Sequence, residues 1–199
     1  GRRVNKLKAV VVSVHAGASG QFSKNEQPSI MVEIEGVVSD RHGSPKRATW
    51  ALTDKQPEGT VRRNERLWSA VSVEDLVQIT EDMDLVKPLT AAAVSANLCF
   101  EGIPEFSRLP RGTTFRFPSG AELQVEEFNP PCLDMGKRLA ESLQTRSGKQ
   151  LENTDFSKAA KLSRGLVGVV EVAGEIKSGD TVDVVVYEHP SWLARTKSP

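Results

Sequence analysis

One of the two cysteines stands where a thiol could do chemistry. Cys132 follows Pro130 and Pro131, which cannot continue the strand expected to end near Glu127. Proline also suits the first turn of a helix, so we expect Cys132 at a strand-to-helix junction, close to exposed backbone N–H groups. Such surroundings favour the thiolate, the form that attacks sulfur or binds a metal. A small buried residue after a turn is the alternative, and spacing alone does not separate the two.

The other cysteine, Cys99, lies in the apolar, strand-like stretch 97–100. Two cysteines are too few for a disulfide framework or a zinc cluster, so both are expected to be free thiols. In apolar surroundings a free cysteine packs as a small hydrophobic residue. Cys132 is therefore the candidate catalytic or metal-ligating thiol, and Cys99 is expected to be structural.

Three short charged clusters are candidate anion-binding elements. An arginine can grip a phosphate while a nearby aspartate orients it, and a glycine beside an arginine lets the backbone come close to a ligand. Each cluster also has an ordinary alternative, which is a solvated ion pair or a charged surface. The clusters are Asp40-Arg41-His42, Arg62-Arg63-Asn64-Glu65-Arg66 and Arg164-Gly165.

Composition narrows the classes of partner. Lysine plus arginine equals aspartate plus glutamate at 26 each, so no net charge favours nucleic acid or an anionic membrane surface. No apolar run approaches the roughly 20 residues that cross a bilayer, and no secretory signal is seen. We therefore expect a cytoplasmic protein that binds neither nucleic acid nor membrane. Because Gly1 is not a natural start, we also expect the chain to have been trimmed.

Strand patterns dominate the chain. β-Branched runs and alternation predict strands over 8–14, 30–34, 121–126, 166–172 and 181–187. In 121–126 the alternation puts Glu126 on a solvent face. Capping and helical spacing predict helices over 73–83, 133–144 and 154–162. The segment 173–180 has turn chemistry at both ends, and its final Gly-Asp pair opens a valine-rich strand, as in small closed sheets.

A length of 199 residues suits a single domain with a real core. We predict one domain over 1–199, with its core at roughly 8–187 and a loose tail at 188–199. Two long connections, 16–29 and 40–61, are rich in glycine, proline and serine. Connections of that length are binding loops or disordered segments.

Four of these fragments, in this order, resemble the motifs of the MOSC family, the domain found at the C-terminus of molybdenum cofactor sulfurases. They are Gly36-Val37-Val38-Ser39-Asp40-Arg41-His42, Asn97-Leu98 followed by Gly102, Pro131-Cys132, and Arg164-Gly165 with Gly174-Glu175-Ile176-Lys177-Ser178-Gly179-Asp180-Thr181-Val182. The chain departs from the family pattern at two points. Ser39 stands where a glycine is usual, and Asn129-Pro130 stands where many members have an arginine.

The resemblance implies a mainly β fold, a closed barrel similar to the barrel domain of pyruvate kinase, with a few peripheral helices. It also implies a pocket for the molybdenum cofactor, molybdopterin, with its phosphate and metal-binding dithiolene. Cys132 would then be the molybdenum ligand or the sulfur carrier. Asp40, Arg41, His42, Asn97 and Arg164 would line the pocket, and Arg62 joins them as a residue suited to phosphate. Pyridoxal phosphate belongs to a separate domain of the large sulfurases and is not expected here.

Three functions are compatible with these residues. The first is a small molybdenum oxidoreductase acting on N-hydroxylated or N-oxide substrates, supplied with electrons by a redox partner protein. The second is a sulfur carrier or cofactor-binding module that accepts sulfane sulfur from a cysteine desulfurase as a persulfide on Cys132. The third is a structural or interaction module whose pocket has decayed. The first two need the same thiolate beside the same anion pocket, so the sequence does not choose between them.

Overall fold

Strands make up most of the regular structure in the computed structural model, which describes residues 5–17, 24–40 and 44–195. The strands of these residues are β1 (Lys6–Ala16), β2 (Asn25–Gln27), β3 (Ser29–Glu33), β4 (Gly36–Val37), β5 (Lys46–Ala48), β6 (Val61–Arg63), β7 (Trp68–Ser72), β8 (Leu98–Glu101), β9 (Thr114–Arg116), β10 (Glu122–Phe128), β11 (Leu166–Val172), β12 (Gly174–Lys177) and β13 (Thr181–Val185). The helices are α1 (Val73–Asp82), α2 (Leu133–Ser142), α3 (Asp155–Ala159) and α4 (Ser191–Arg195), with a 3₁₀ turn at Phe106–Arg108.

Seven of the strands close into a barrel, in the order β13-β9-β10-β11-β7-β8-β1. The long strand β1 closes it, because its first half pairs antiparallel with β13 while its other edge pairs with β8. Its far end also pairs with β2. Side chains of β1 alternate, with Val11 buried and Val10 and Val12 exposed. This is the pattern of a barrel wall with one face turned to the core.

One connection of the barrel differs from the others. Strands β7 and β8 are parallel, so the chain must cross over between them. Helix α1 begins this crossover directly after β7, and Ser72 caps it by accepting a hydrogen bond from the backbone N–H of Asp75. The predicted N-cap serine and the predicted helix over 73–83 are therefore confirmed.

The apolar residues form two cores. Inside the barrel, Phe100, Phe106, Phe115 and Trp68 are fully buried and their rings contact one another. Outside it, α1, α2 and α3 cover a second core. The helices are thus fixed to the barrel by apolar burial, and the second core holds α2 and its first residue in place.

The prediction of a mainly β fold with a closed barrel and a few peripheral helices is confirmed. Strands appear where 8–14, 30–34, 121–126, 166–172 and 181–187 are predicted, and short helices where 133–144 and 154–162 are predicted. None of the helices in the described ranges is long and apolar enough to cross a membrane.

The segment 173–180 contains a strand, β12, which pairs with β3. The expected tail contains a short helix, α4. One local prediction is wrong. Glu126 is buried, because the register of β10 against β11 shifts between Val125 and Glu127 and the carboxylate is held by two arginines. Alternation cannot reveal such a bulge, which adds a residue to one strand of the pair.

Candidate functional site

Cys132 lies at the strand-to-helix junction expected from the two prolines. The backbone N–H of Asn129, one residue past β10, still donates to the carbonyl of Gly165 at 2.8 Å. After Pro130 and Pro131, Cys132 is the N-cap of α2, with extended backbone angles and a sulfur that accepts from the N–H of Met135 at 3.4 Å. Its side chain is exposed. The thiol therefore combines access with the positive end of a helix.

Close packing fixes the direction of this helix start. Met135 and Leu139 of α2 are buried in the second core. Gly136 faces the backbone of Asn153 so closely that a Cβ there would come within 2.3 Å of its carbonyl oxygen. Only glycine fits this approach, so α2 cannot tilt freely and Cys132 stays at the surface.

Cys99 has the opposite environment. It lies in β8, is 4% exposed and packs in the second core. Burial raises the pKa of its thiol to about 11, and the nearby carboxylates of Glu74 and Glu101 act in the same direction. Its thiol is therefore neutral and inert at neutral pH, in agreement with a structural role.

Cys132 opens into a cleft of about 970 Å³. The β5–β6 hairpin and its loop form one part of the lining, and β10 with the segment that follows it forms another. Its lining carries five lysine or arginine residues and five aspartate or glutamate residues. The lining residues are Arg47, Trp50, Ala51, Leu52, Thr53, Asp54, Lys55, Gln56, Arg62, Glu65, Arg66, Arg111, Glu126, Glu127, Pro130, Cys132 and Asp134.

Two of the cleft arginines are neutralised by carboxylates. Arg47 and Arg62 both contact Asp54 at 2.8 Å and both pair with Glu65. The hydrogen bonds from Arg47 hold the pKa of Asp54 well below its usual range. Burial alone would raise the pKa of Glu65, but the hydrogen bonds from Arg47, a backbone hydrogen bond and the positive charges of Arg47 and Arg62 together offset it, and the pKa is lowered. We call these four residues the hairpin ion cluster. It is a structural anchor for the hairpin, with its charges already satisfied.

Arg66 and Arg164 are different. Among the residues described, neither guanidinium is paired with a carboxylate: Arg66 donates to the side-chain oxygen of Asn129 at 2.7 Å, and Arg164 donates to the carbonyl of Val94 at 2.6 Å. Arg164 is buried and Arg66 is half-buried, and within the described ranges Nη1 of Arg164 has no hydrogen-bond partner. Both also lie within electrostatic range of the Cys132 sulfur. We call Arg66 and Arg164 the unpaired arginine pair.

Burial makes the charged form of the Arg66 and Arg164 guanidinium groups less favourable, and their pKa values are lowered. Burial lowers the pKa of Arg66, although the nearby carboxylates of Glu65 and Glu127 act to raise it, and burial lowers the pKa of Arg164 to about 10. Negative charge on Cys132 would raise both pKa values. Arg164 remains a cation at neutral pH despite its burial. A buried cation with an unused donor is unfavourable until an anion approaches it. The Cys132 end of the cleft is thus electrostatically suited to an anion.

The site residues expected from the sequence do not all line this cleft. Cys132 and Arg62 line it, whereas Arg164 does not line it but lies within electrostatic range of Cys132. Asp40 instead forms a buried ion pair with Lys24 at 2.9 Å and accepts from the N–H of Gly17. Arg41 and His42 lie outside the described residues.

Asn97 is used inside the fold. It is 1% exposed, its side-chain oxygen accepts from the N–H of Ser69 and its amide donates to the carbonyl of His15. Its side chain thereby ties β1 to β7 near the start of β8. Asp40 and Asn97 are not among the residues that line the cleft, because their polar groups serve backbone and ion-pair contacts.

Several lining residues were not singled out from the sequence. Arg47, Trp50 and Asp54 lie in the long connection 40–61, which was expected only to be a binding loop or disordered. Arg66 belongs to the arginine run 62–66, and the hydrogen bond that it donates to Asn129 holds its guanidinium against the segment that leads into Pro131-Cys132. The arginine run was a usable signal for Arg66, whereas no pattern marked Trp50.

The chain also matches known proteins. It is 27% identical over 184 residues, or 92% of its length and 93% of the relative's, to YuaD of Bacillus subtilis, provisionally named a metal-sulfur cluster biosynthesis protein. The crystal structure of YuaD superposes with a TM-score of 0.85 at 25% identity, covering 93% of this chain and 100% of that one. YiiM of Escherichia coli shares the fold, with a TM-score of 0.60 at 17% identity over 92% of this chain and 72% of that one. The MOSC domain family model matches residues 38–183, and the chain therefore belongs to the MOSC domain family.

Proposed function

We propose that this MOSC protein binds the molybdenum cofactor at the Cys132 end of the cleft and acts as a small molybdenum oxidoreductase on N-hydroxylated or N-oxide substrates. We place this activity in the cytoplasm, where thiols remain reduced. The single observation that carries the proposal is the unpaired arginine pair beside an exposed thiol: one buried and one half-buried guanidinium group, with no carboxylate partner in the described part of the chain.

The donor set fits the cofactor. A soft thiolate suits molybdenum bound by a dithiolene, and guanidinium groups suit a phosphate. The unused Nη1 of Arg164 would gain the anion that its burial requires. When bound, the cofactor would supply the redox-active metal.

The residues of the chain have separate parts in this proposal. Cys132 holds the metal as its protein ligand; within the described ranges no group of three or more histidine, cysteine, aspartate or glutamate side chains could hold a metal ion. Arg66 and Arg164 bind the anionic part of the cofactor. The remaining cleft, with balanced charge, receives a small-molecule substrate. Electrons come from a redox partner protein, since the sequence has no flavin, haem or iron–sulfur motif.

The test is metal content. The protein is expressed in a host that makes the molybdenum cofactor, and molybdenum per chain is measured for the wild type, Cys132→Ala and Cys99→Ala. We expect close to one molybdenum per wild-type chain, loss in Cys132→Ala and retention in Cys99→Ala. The loaded wild type should also reduce an N-oxide with a chemical electron donor. Molybdenum-free wild type from such a host would contradict the proposal.

A second function has its own support. The name of YuaD refers to metal-sulfur cluster biosynthesis, and the exposed Cys132 sulfur can be reached by another protein. In this alternative the Cys132 thiolate attacks the outer sulfur of a desulfurase persulfide. The new S–S bond forms on Cys132, the donor S–S bond breaks, and the desulfurase cysteine leaves as a thiolate. Arg66 and Arg164 would stabilise the persulfide anion.

The relay is tested by mass spectrometry of the intact chain after incubation with a cysteine desulfurase and cysteine. An added mass of one sulfur, present in the wild type and Cys99→Ala but absent in Cys132→Ala, would support it. A Cys132 that reacts with an alkylating reagent but never gains sulfur would reject it.

A further inference from the structure

The β5–β6 hairpin presents one aromatic ring to the cleft. Trp50 lies two residues past the end of β5, lines the cleft and remains 47% exposed. The other two tryptophans do not line it: Trp68 is 1% exposed in the barrel core, and Trp192 lies in α4. A half-exposed tryptophan in a cleft costs hydrophobic free energy that a ligand can recover.

The ring is held on a rigid support. The guanidinium carbon of Arg47 lies 4.0 Å from the ring centroid. Every N–H of Arg47 is already used, by the carbonyl of Ala48 and the carboxylates of Asp54 and Glu65. Arg47 therefore cannot turn to bind a ligand through its donors. It acts as a fixed cationic surface against the indole, an arrangement that stabilises the ring position.

The backbone of Trp50 is fixed by the same cluster. Its N–H donates to Asp54 at 2.8 Å, and Asp54 is held by both Arg47 and Arg62. A side chain ordered before binding loses little entropy when a ligand docks on it. The hairpin ion cluster thus preorganises Trp50 for stacking.

The ring also lies near the reactive end of the cleft. The guanidinium carbon of Arg66 is 5.7 Å from the Trp50 ring centroid. Arg66 in turn lies within electrostatic range of the Cys132 sulfur. Trp50 and Cys132 line the same cleft and share Arg66 as a neighbour. A molecule that stacks on Trp50 therefore lies in the cleft that holds the thiol.

The charge of the lining limits the ligand further. The five basic and five acidic side chains of the cleft balance, and those of the hairpin ion cluster are already paired. A substrate with a net charge gains nothing from the paired charges of the hairpin ion cluster, whereas an uncharged molecule with a flat conjugated surface gains from the indole.

We infer that Trp50 determines substrate specificity by stacking a planar, uncharged, conjugated substrate, such as a heteroaromatic N-oxide. This rests on the proposed function for the reacting N–O group, but the stacking itself requires only the cleft. Aromatic stacking of about 1–3 kcal/mol corresponds to a roughly 5- to 150-fold effect on affinity.

The test compares two uncharged N-oxides of different shape. Pyridine N-oxide is planar and N-methylmorpholine N-oxide is not. Their dissociation constants are measured by ligand-observed NMR with the wild type, Trp50→Phe and Trp50→Leu, with Trp192→Phe as the matched control. No turnover is involved, so the readout does not depend on bound molybdenum.

We expect the wild type and Trp192→Phe to bind the planar N-oxide at least fivefold more tightly than the non-planar one. Trp50→Phe should keep most of this preference, and Trp50→Leu should lose it while the thermal unfolding curve stays close to that of the wild type. An unchanged preference in Trp50→Leu, or no measurable preference in the wild type, would overturn the inference.

The same data separate this inference from the proposed function. If the planar N-oxide binds in a Trp50-dependent way but the wild type carries no molybdenum, the stacking surface stands and the proposed reaction fails. If molybdenum is bound through Cys132 but Trp50→Leu discriminates like the wild type, the stacking surface fails and the cofactor proposal stands.

Discussion

The two ends of the cleft use the same side chain in different ways. In the hairpin ion cluster, Arg47 and Arg62 face two nearly buried carboxylates and form bonds as short as 2.8 Å with them. At the Cys132 end, the partners of Arg66 and Arg164 among the described residues are an amide oxygen and a backbone carbonyl. Arg47 and Arg62 stabilise the protein, whereas the positive charges of Arg66 and Arg164 are available to bind an anionic ligand.

This difference shows that arginine content alone does not identify an anion site. What matters is whether the positive charge is already matched, because a guanidinium that holds two carboxylates presents almost no field to a third anion. A buried guanidinium with an unused donor is costly in the free protein. Its presence beside Cys132 is therefore the stronger functional signal.

The largest expected effect comes from removing the unpaired charge. Arg164→Met should reduce the affinity for an anionic cofactor by about 10- to 100-fold, because a charged hydrogen bond contributes about 1.5–3 kcal/mol. The measurement is molybdenum per chain after gel filtration, with Arg111→Met as control, since Arg111 is exposed and paired with Glu126. Equal losses in both variants would show that the two kinds of arginine do not differ.

Removing Arg47 should instead cost stability. Arg47→Met leaves Arg62, which is 31% exposed, as the arginine that pairs with the carboxylates of Asp54 and Glu65. Breaking a fully buried pair costs about 3–5 kcal/mol, and partial exposure reduces the expected loss in the free energy of unfolding to about 2 kcal/mol. Urea unfolding measures this loss. The molybdenum content of the folded variant should change less than threefold, and a tenfold fall would contradict the division of roles.

The two ends also differ in how much of them the sequence could predict. Two prolines before Cys132 and helical spacing after it were enough to place the thiol at the start of α2. The barrel strands were visible because one face of each is apolar. Both signals lie within a short stretch of sequence, so they can be recognised without knowing which elements pack against that stretch.

The hairpin could not be predicted in this way. Strands β5 and β6 have no buried apolar face, and ion pairs hold them together, between residues that lie up to 18 positions apart. Asp40 and Asn97 show the converse problem. Their residue types suited a binding site, but the fold uses Asp40 in a buried ion pair and Asn97 to join strands. Which polar group is left for a ligand depends on tertiary contacts that spacing does not encode.

Acid should weaken the hairpin end in a defined pH range. The pKa values of Asp54 and Glu65 are lowered in the folded protein, below the usual carboxyl values of about 4 that they regain on unfolding. Their stabilisation is therefore fully present above about pH 5 and is lost as the pH falls through the folded-state values. The stability difference between the wild type and Asp54→Asn should be constant from pH 7 to 5 and shrink below pH 4. A difference that shrinks already between pH 7 and 5 would point to another group.

Arg62→Gln should have the smallest effect, and it tests most directly whether paired and unpaired arginines differ in anion binding. Arg62 was a candidate cofactor residue, yet in the structure it only shares Asp54 and Glu65 with Arg47. In Arg62→Gln both carboxylates keep Arg47, so the free energy of unfolding should fall by about 0.5 kcal/mol, as for a partly exposed ion pair. Molybdenum per chain should stay at the wild-type level. If Arg62→Gln loses the metal as fully as Arg164→Met, then Arg62 turns from its carboxylates to the cofactor when the cofactor binds, and pairing in the free protein is no guide to which arginines bind an anion.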